Sequence, residues 1–305
     1  MTQRSLDSGL QAGQFNWLCI GAQKAGTSTL FRLLQGHPEL YIPPSKEDPV
    51  FDRPVTATQV ADFVRDRFGS IREGIKCGTV TPHYMISPDI ANRVHSYMPD
   101  ARIIAILRDP VERAFSHYRM NVRKALETRP FHTVVRSQIG ELEAGHRPDS
   151  HDDPATYVWR SCYGTILRPW FDIYRRSQVL VVFTEELATN QAGVLEDVYR
   201  HLGVDIASAS EHRLSSNAAP PMHKLSSFRE LFARSLRRAG VLDRIPTDRR
   251  LRYAERLAEF ERRLARVVPV NVPSVDDATL TLLRSFFVSE NEQLRALLGR
   301  LPPWS

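Results

Sequence analysis

A chain of 305 residues with 42% apolar and 25% charged residues can bury a sizeable core, which excludes a disordered or low-complexity protein. The formal charge of +6 favours anionic ligands, yet the basic residues are almost all scattered arginines, often beside acids as in "RDRF" and "EFERRLARV". That pattern lacks the basic stripe with interleaved aromatics of a nucleic-acid binder, and no apolar run approaches the roughly 18 residues of a membrane span.

In chain order, residues 1–14 are polar, have no apolar signal-type stretch, and are expected to be flexible. "FNWLCIG" predicts a strand over 15–20, followed by a loop at 21–26 and a helix over 27–36 with Leu30, Leu33 and Leu34 at helical spacing. "YIPPSKEDPVFD" is an extended segment stiffened by its prolines, and "TVTPHYM" (79–85) follows another apolar stretch. "SPDIANRVHSYMPDARIIAILRDPVERAFSHYRMNVRKAL" reads as helix, strand 102–107 and helix, the last capped by Asp109, Pro110 and Glu112. Polar, acidic 140–156 reads as a loop or lid, then come strand 178–183 and a helix from about 190 to 202 closed by Gly203. After about 205 the strand signals fade and amphipathic helices are expected. Alternating strands and helices imply an α/β fold, a parallel sheet of the phosphate-loop type flanked by helices, with a helical C-terminal part and a single domain over 1–305.

The loop "GAQKAGTSTL" raises the question of ligand. Gly21 and Gly26 have the spacing of the nucleotide loop G-x-x-x-x-G-K-[ST], and Ser28 stands at its hydroxyl position. Thr27 replaces the lysine, however, and Lys24 lies inside the loop. Loop and helix start still offer N–H groups and hydroxyls from Ala25, Gly26, Thr27, Ser28 and Thr29 to an anion. At the second strand end, Arg108 and, two helical turns on, Ser116 suit a second phosphate. Asp109 as a magnesium ligand, which would make the chain a divergent kinase or nucleoside triphosphatase, competes with its role as a helix cap. A binding protein using the same loop without catalysis is a third reading. Glu47 could be a general base or one half of a solvated pair with Lys46, and His83 could be catalytic or structural. Cys19, Cys77 and Cys162 are widely spaced and offer no metal-ligand pattern, so no metal site and a reducing, cytoplasmic setting are expected.

Together these pieces resemble the sulfotransferases that use 3′-phosphoadenosine 5′-phosphosulfate (PAPS), in the branch of the heparan sulfate sulfotransferases and their bacterial relatives. The resemblance runs over roughly residues 15–205. It rests on "CIGAQKAGTSTLFRLLQGHPEL", "YIPPSKEDPVFD", "RIIAILRDPVERAFSHYRM" and "SCYGTILRPWFDIYRRSQVLVVFTEEL". It implies that the 25–29 loop holds the 5′-phosphate and that Arg108 and Ser116 hold the 3′-phosphate. It further implies that Lys24 stabilises the leaving phosphate while Glu47 takes the acceptor proton. Tyr163, which opens the segment that resembles the family's tyrosine helix, is implied to bind the cofactor, as are Asn217 and Lys224 in a segment that could close over it. One departure is "GTVTPHY", where Thr79 and Val80 replace a glutamate and lysine frequent in the glycan-modifying members. With the acidic 140–156 segment, this favours a small-molecule or carbohydrate hydroxyl over a polyanionic glycan.

Overall fold

The computed structural model describes residues 15–124, 126–148, 155–206 and 274–305. The expected flexible start, most of the C-terminal helical region, and Asn217 and Lys224 lie outside the described residues. Five strands, β1 (Phe15–Gly21), β2 (Leu40–Tyr41), β3 (Lys76–Val80), β4 (Arg102–Leu107) and β5 (Val179–Phe183), form one sheet in the order β2-β3-β1-β4-β5, every pair parallel. The helices are α1 (Thr27–Gln35), α2 (Ala57–Phe68), α3 (Pro88–Tyr97), α4 (Pro110–Arg123), α5 (Phe131–Glu143), α6 (Tyr163–Ile173), α7 (Thr184–Thr189), α8 (Gln191–Leu202) and α9 (Asp277–Leu298). Among the described residues no helix is long and apolar enough to cross a membrane.

The central strands are near-continuous apolar runs because both faces of the sheet are covered. Side chains alternate between faces along each strand. Trp17, Cys19, Ile104 and Ile106 therefore pack in a cluster with Leu30, Leu33 and Leu34 of α1 and Val194, Val198 and Leu202 of α8. Leu18, Ile20, Ile103, Ala105 and Leu107 point the other way, into a larger cluster with α3, α4, α5, α6 and α9. Gly78 of β3 leaves room for the Trp17 indole, since a Cβ there would lie 2.1 Å from Cδ2 of Trp17. On α9, Glu290 accepts from the N–H and hydroxyl of Thr165 at 3.0 and 2.6 Å, which fixes that helix against α6.

The consequence for function is topological. β1 and β4 are neighbours, yet α1 packs on one face of the sheet and α4 on the other. Their connections diverge and leave a crevice at the carboxyl ends of the two strands, where ligands of open α/β sheets bind. One expectation is corrected: 140–143 is not loop, because α5 continues through Glu143. Buried Phe131, Val134, Val135, Ile139 and Leu142 form an apolar stripe that outweighs the acidic surface residues. Residues 149–154 of that expected lid lie outside the described residues.

Candidate active site

The loop after β1 leads directly into α1. Gly26 sits at the N-cap with φ 92°, a conformation open to glycine, and two lysines also occupy the left-handed region, Lys24 at φ 72° and Lys46 at φ 62°. Such backbone costs about 1 kcal/mol or more for a residue with a Cβ and clusters at functional sites. Ala25 N–H donates to the Ala22 carbonyl at 3.1 Å and Thr29 N–H to Gly26 at 2.9 Å. These two amides, expected to face a phosphate, are thus engaged within the loop. Thr27 and Ser28, on the first turn of α1, keep N–H groups that the helix itself cannot satisfy.

Lys24 is half-buried and crowded. Burial, then the neighbouring cations Arg123, Lys124, Arg108 and Lys46, push its amine down to about 8. Lys24 thus feels four other positive groups, and a multiply charged anion is the ligand that such a charge distribution favours. Arg108 and Lys46 carry local counter-charges. Arg108 pairs with Glu112 through Nη2 at 2.5 Å and Nε at 3.2 Å. Lys46 lies 3.1 Å from Glu47 Oε1 and donates to the Ser28 and Thr27 hydroxyls at 3.2 and 3.4 Å.

Lys46, which the sequence offered only as a partner for Glu47, is brought by the structure to the loop after β1. It reaches the phosphate loop because its segment hangs on the end of β3. Val80 N–H donates to the Lys46 carbonyl at 3.0 Å, Asp48 N–H to the Thr81 hydroxyl at 3.3 Å, and Tyr84 OH to the Asp48 carbonyl at 2.7 Å. Glu47 is left with its side chain 48% exposed at the mouth. Val80 is buried in the core, so that position presents no side chain to an acceptor. His83 follows Pro82, whose carbonyl would lie 3.1 Å from a Cβ on Gly21, and its Nε2 lies 2.6 Å from Asp52 Oδ1.

At the β4 end, the Asp109 side chain accepts from Glu112 N–H at 2.9 Å, as expected of a helix cap. The reciprocal half of the capping box is absent. The Asp109 N–H donates to Glu185 Oε1 instead, at 2.9 Å, which frees Glu112 for Arg108. Next to Glu185, the Thr184 hydroxyl lies 2.6 Å from the Ala25 carbonyl and 2.9 Å from that of Leu107, linking β5 to the loop and to β4. Tyr163 is fully buried and donates to the Arg108 carbonyl at 2.9 Å, so it supports the strand end from beneath. Ser116 is half-buried on α4. Among the described residues there is no group of three His, Cys, Asp or Glu side chains that could hold a metal ion.

A family model described as "Sulfotransferase family" matches residues 81–208, the half of the site that carries Arg108, Ser116 and Tyr163. This part of the chain is similar to the sulfotransferase family. Heparan sulfate glucosamine 3-O-sulfotransferase 3A1 of Mus musculus is 26% identical over 196 residues, covering 64% of this chain and 47% of the mouse protein. The membrane-associated sulfotransferase kil1 of Dictyostelium discoideum is 31% identical over 110 residues, 35% of this chain and 23% of that protein. The chain therefore spans about half the length, or less, of these curated relatives. A solved structure, the sulfotransferase from Alicyclobacillus acidocaldarius, superposes with a TM-score of 0.62 at 24% identity, covering 94% of this chain and 96% of that one. That likeness establishes the shared fold.

Proposed function

We propose that the protein is a PAPS-dependent sulfotransferase that moves a sulfuryl group to an acceptor hydroxyl. The observation that carries this reading is Lys24 at the β1–β4 crevice, half-buried and under the positive charge of Arg123, Lys124, Arg108 and Lys46. Bound there, PAPS supplies the sulfuryl group, and the leaving fragment is a nucleotide with two phosphate positions. Thr27 and Ser28, through N–H and hydroxyl, and Lys46 through its amine would hold the 5′-phosphate side. Arg108 and Ser116 would hold the 3′-phosphate. Lys24 would donate to the bridging oxygen on which negative charge accumulates as the S–O bond breaks. Glu47 would accept the proton of the attacking hydroxyl. The engagement of Asp109 as a helix cap weighs against the alternative of a metal-dependent kinase.

The acceptor we propose is a neutral hydroxyl on a sugar or other small molecule. Thr79 and Val80 add no charge beside it, and the 140–156 segment would repel a polyanion. A second reading of the base is favoured by one distance. Asp52 lies 2.6 Å from His83 Nε2, so an ionised Asp52 fixes the proton on that nitrogen and leaves Nδ1 as the accepting atom of the neutral ring.

Calorimetric titration decides the donor. Adenosine 3′,5′-bisphosphate is expected to bind at least about tenfold more tightly than adenosine 5′-phosphate, one good charge-assisted phosphate contact being of that order. It should also outcompete ATP with magnesium. Tighter binding of ATP, or indifference to the 3′-phosphate, would exclude the sulfotransferase reading.

The Arg108–Glu112 pair makes a second prediction. Glu112 competes with a 3′-phosphate for the same guanidinium, but its side chain is 62% exposed and its hold is correspondingly weak. Arg108→Ala should weaken the bisphosphate by roughly 10- to 100-fold. Glu112→Gln should tighten it by about two- to fivefold, an exposed ion pair being worth a few tenths of a kcal/mol to about 1 kcal/mol. Binding of adenosine 5′-phosphate measured alongside should respond to neither change.

A further inference from the structure

Arg113, on the first turn of α4, is wholly buried. Its Nε donates to Ser161 Oγ at 2.6 Å, Nη1 to the Gln23 carbonyl at 3.3 Å, and Nη2 to the Tyr157 carbonyl. All three acceptors are neutral, and among the described residues no carboxylate is paired with it. Burial pushes the guanidinium down to about 10, with the Tyr163 hydroxyl and Cys162 thiol nearby in its favour and Arg108 against it. It is therefore still a cation at neutral pH. A buried charge without a counter-charge is among the least favourable arrangements a fold can hold.

The position of this charge suggests what compensates it. Gln23 directly precedes Lys24, so the guanidinium grips the phosphate loop from behind. Arg108, at the other end of the crevice, is close enough to feel it. Ser161, the second acceptor, donates in turn to the Pro110 carbonyl at 2.8 Å, which ties the turn before α6 to the start of α4. Gln23 Oε1, on the same loop residue, is buried with no partner. One cation thus connects the three segments that enclose the crevice while its own charge stays unmatched.

We infer that Arg113 is a positioning residue whose buried positive charge is balanced by the phosphate groups of the bound nucleotide. In the ligand-free protein the unmatched charge is a standing cost, and the anion removes it on binding. The inference builds on the sulfotransferase reading only for the identity of the anion. It separates the charge of the side chain from its fork geometry, because a purely architectural arginine would act through its three hydrogen bonds alone.

The test titrates adenosine 3′,5′-bisphosphate into the full chain and its Arg113→Lys, Arg113→Gln and Arg113→Met variants, with melting temperatures taken without ligand. Arg113→Lys keeps the charge and should bind within about threefold of the parent chain, whereas the two neutral variants should bind at least about tenfold more weakly. Their ligand-free melting temperatures should lie no lower than that of Arg113→Lys, since they also lose the buried charge. Parental affinity in a folded neutral variant, or equal weakening in all three, overturns the inference. If neither neutral variant folds, Arg113→Lys decides alone, and a tenfold loss there counts against the charge role. A parent chain that ignores the bisphosphate would sink the sulfotransferase reading instead, and inorganic pyrophosphate would then carry the same comparison.

Discussion

Lys24→Ala is expected to lower kcat by about 10²–10³ while raising the cofactor Kd by less than about tenfold, the scale seen when one preorganised donor to a developing anion is removed. The asymmetry follows from when the charge appears. In the ground state the bridging oxygen would carry little charge, and on the proposed reading Lys46, Arg108 and the start of α1 would hold the phosphates without Lys24. As the S–O bond breaks, the charge on that oxygen grows, and the amine closest to it contributes most. Crowding by Arg123, Lys124, Arg108 and Lys46 makes the same amine titrate near neutrality, at about 8. Its protonated form is the active one, so kcat/KM should fall as pH rises through about 8 in the free enzyme. Bound anions favour the ammonium, so the corresponding limb in kcat should lie higher. Lys24→Arg should move the free-enzyme limb out of the measurable range whatever its effect on the absolute rate. A variant that loses affinity and turnover in equal measure, with the alkaline limb unmoved, would place Lys24 among the simple phosphate ligands.

Much of this site was legible because its signals are local. The cap at Asp109 rests on three residue types within four positions, Asp109, Pro110 and Glu112, and Gly26 at φ 92° sits in the glycine-bounded turn that the motif spacing implies. Strand β4 is an uninterrupted apolar run, and Arg108 directly follows it, so its place at the crevice needed no tertiary information. The pairings that complete the site were not legible for the opposite reason. Lys46 meets Thr27 and Ser28 only because Val80 and Thr81 hold its segment at the end of β3, and that depends on β3 lying beside β1. Glu185 takes the Asp109 N–H across a separation of 76 residues, leaving Glu112 to pair with Arg108, a substitution that the capping pattern cannot reveal. Arg113 stands within the same short motif as Arg108. Its buried, uncompensated state emerges only when the loop, α4 and the 157–161 turn come together. Helix α5 was obscured by its own surface, since acidic and small residues near its end masked a stripe of five buried apolar side chains.

Glu47→Gln should reduce kcat by about 10²–10³, within the range that a positioned general base contributes, with cofactor affinity little changed or slightly improved. The slight improvement follows from Lys46, which now divides its charge between Glu47 Oε1 and the hydroxyls of Thr27 and Ser28. Once the carboxylate is neutral, more of that charge faces the phosphate. The same geometry favours Glu47 over His83 as base, because a single lysine links Glu47 to the loop that would hold the departing group. An acceptor hydroxyl between Glu47 and that loop could lose its proton and attack in line without a further relay. His83 is instead drawn toward Asp52 at 2.6 Å, which orients the ring but ties it to the outer segment. His83→Asn is therefore expected to raise the acceptor KM more than it lowers kcat, by about tenfold or less, as loss of one hydrogen-bonding contact would. The decisive measurement is the pair of variants assayed with one acceptor across pH. If Glu47→Gln retains most of its turnover while His83→Asn and Asp52→Asn both abolish it and share one altered pH profile, the histidine is the base and Glu47 serves only to hold Lys46.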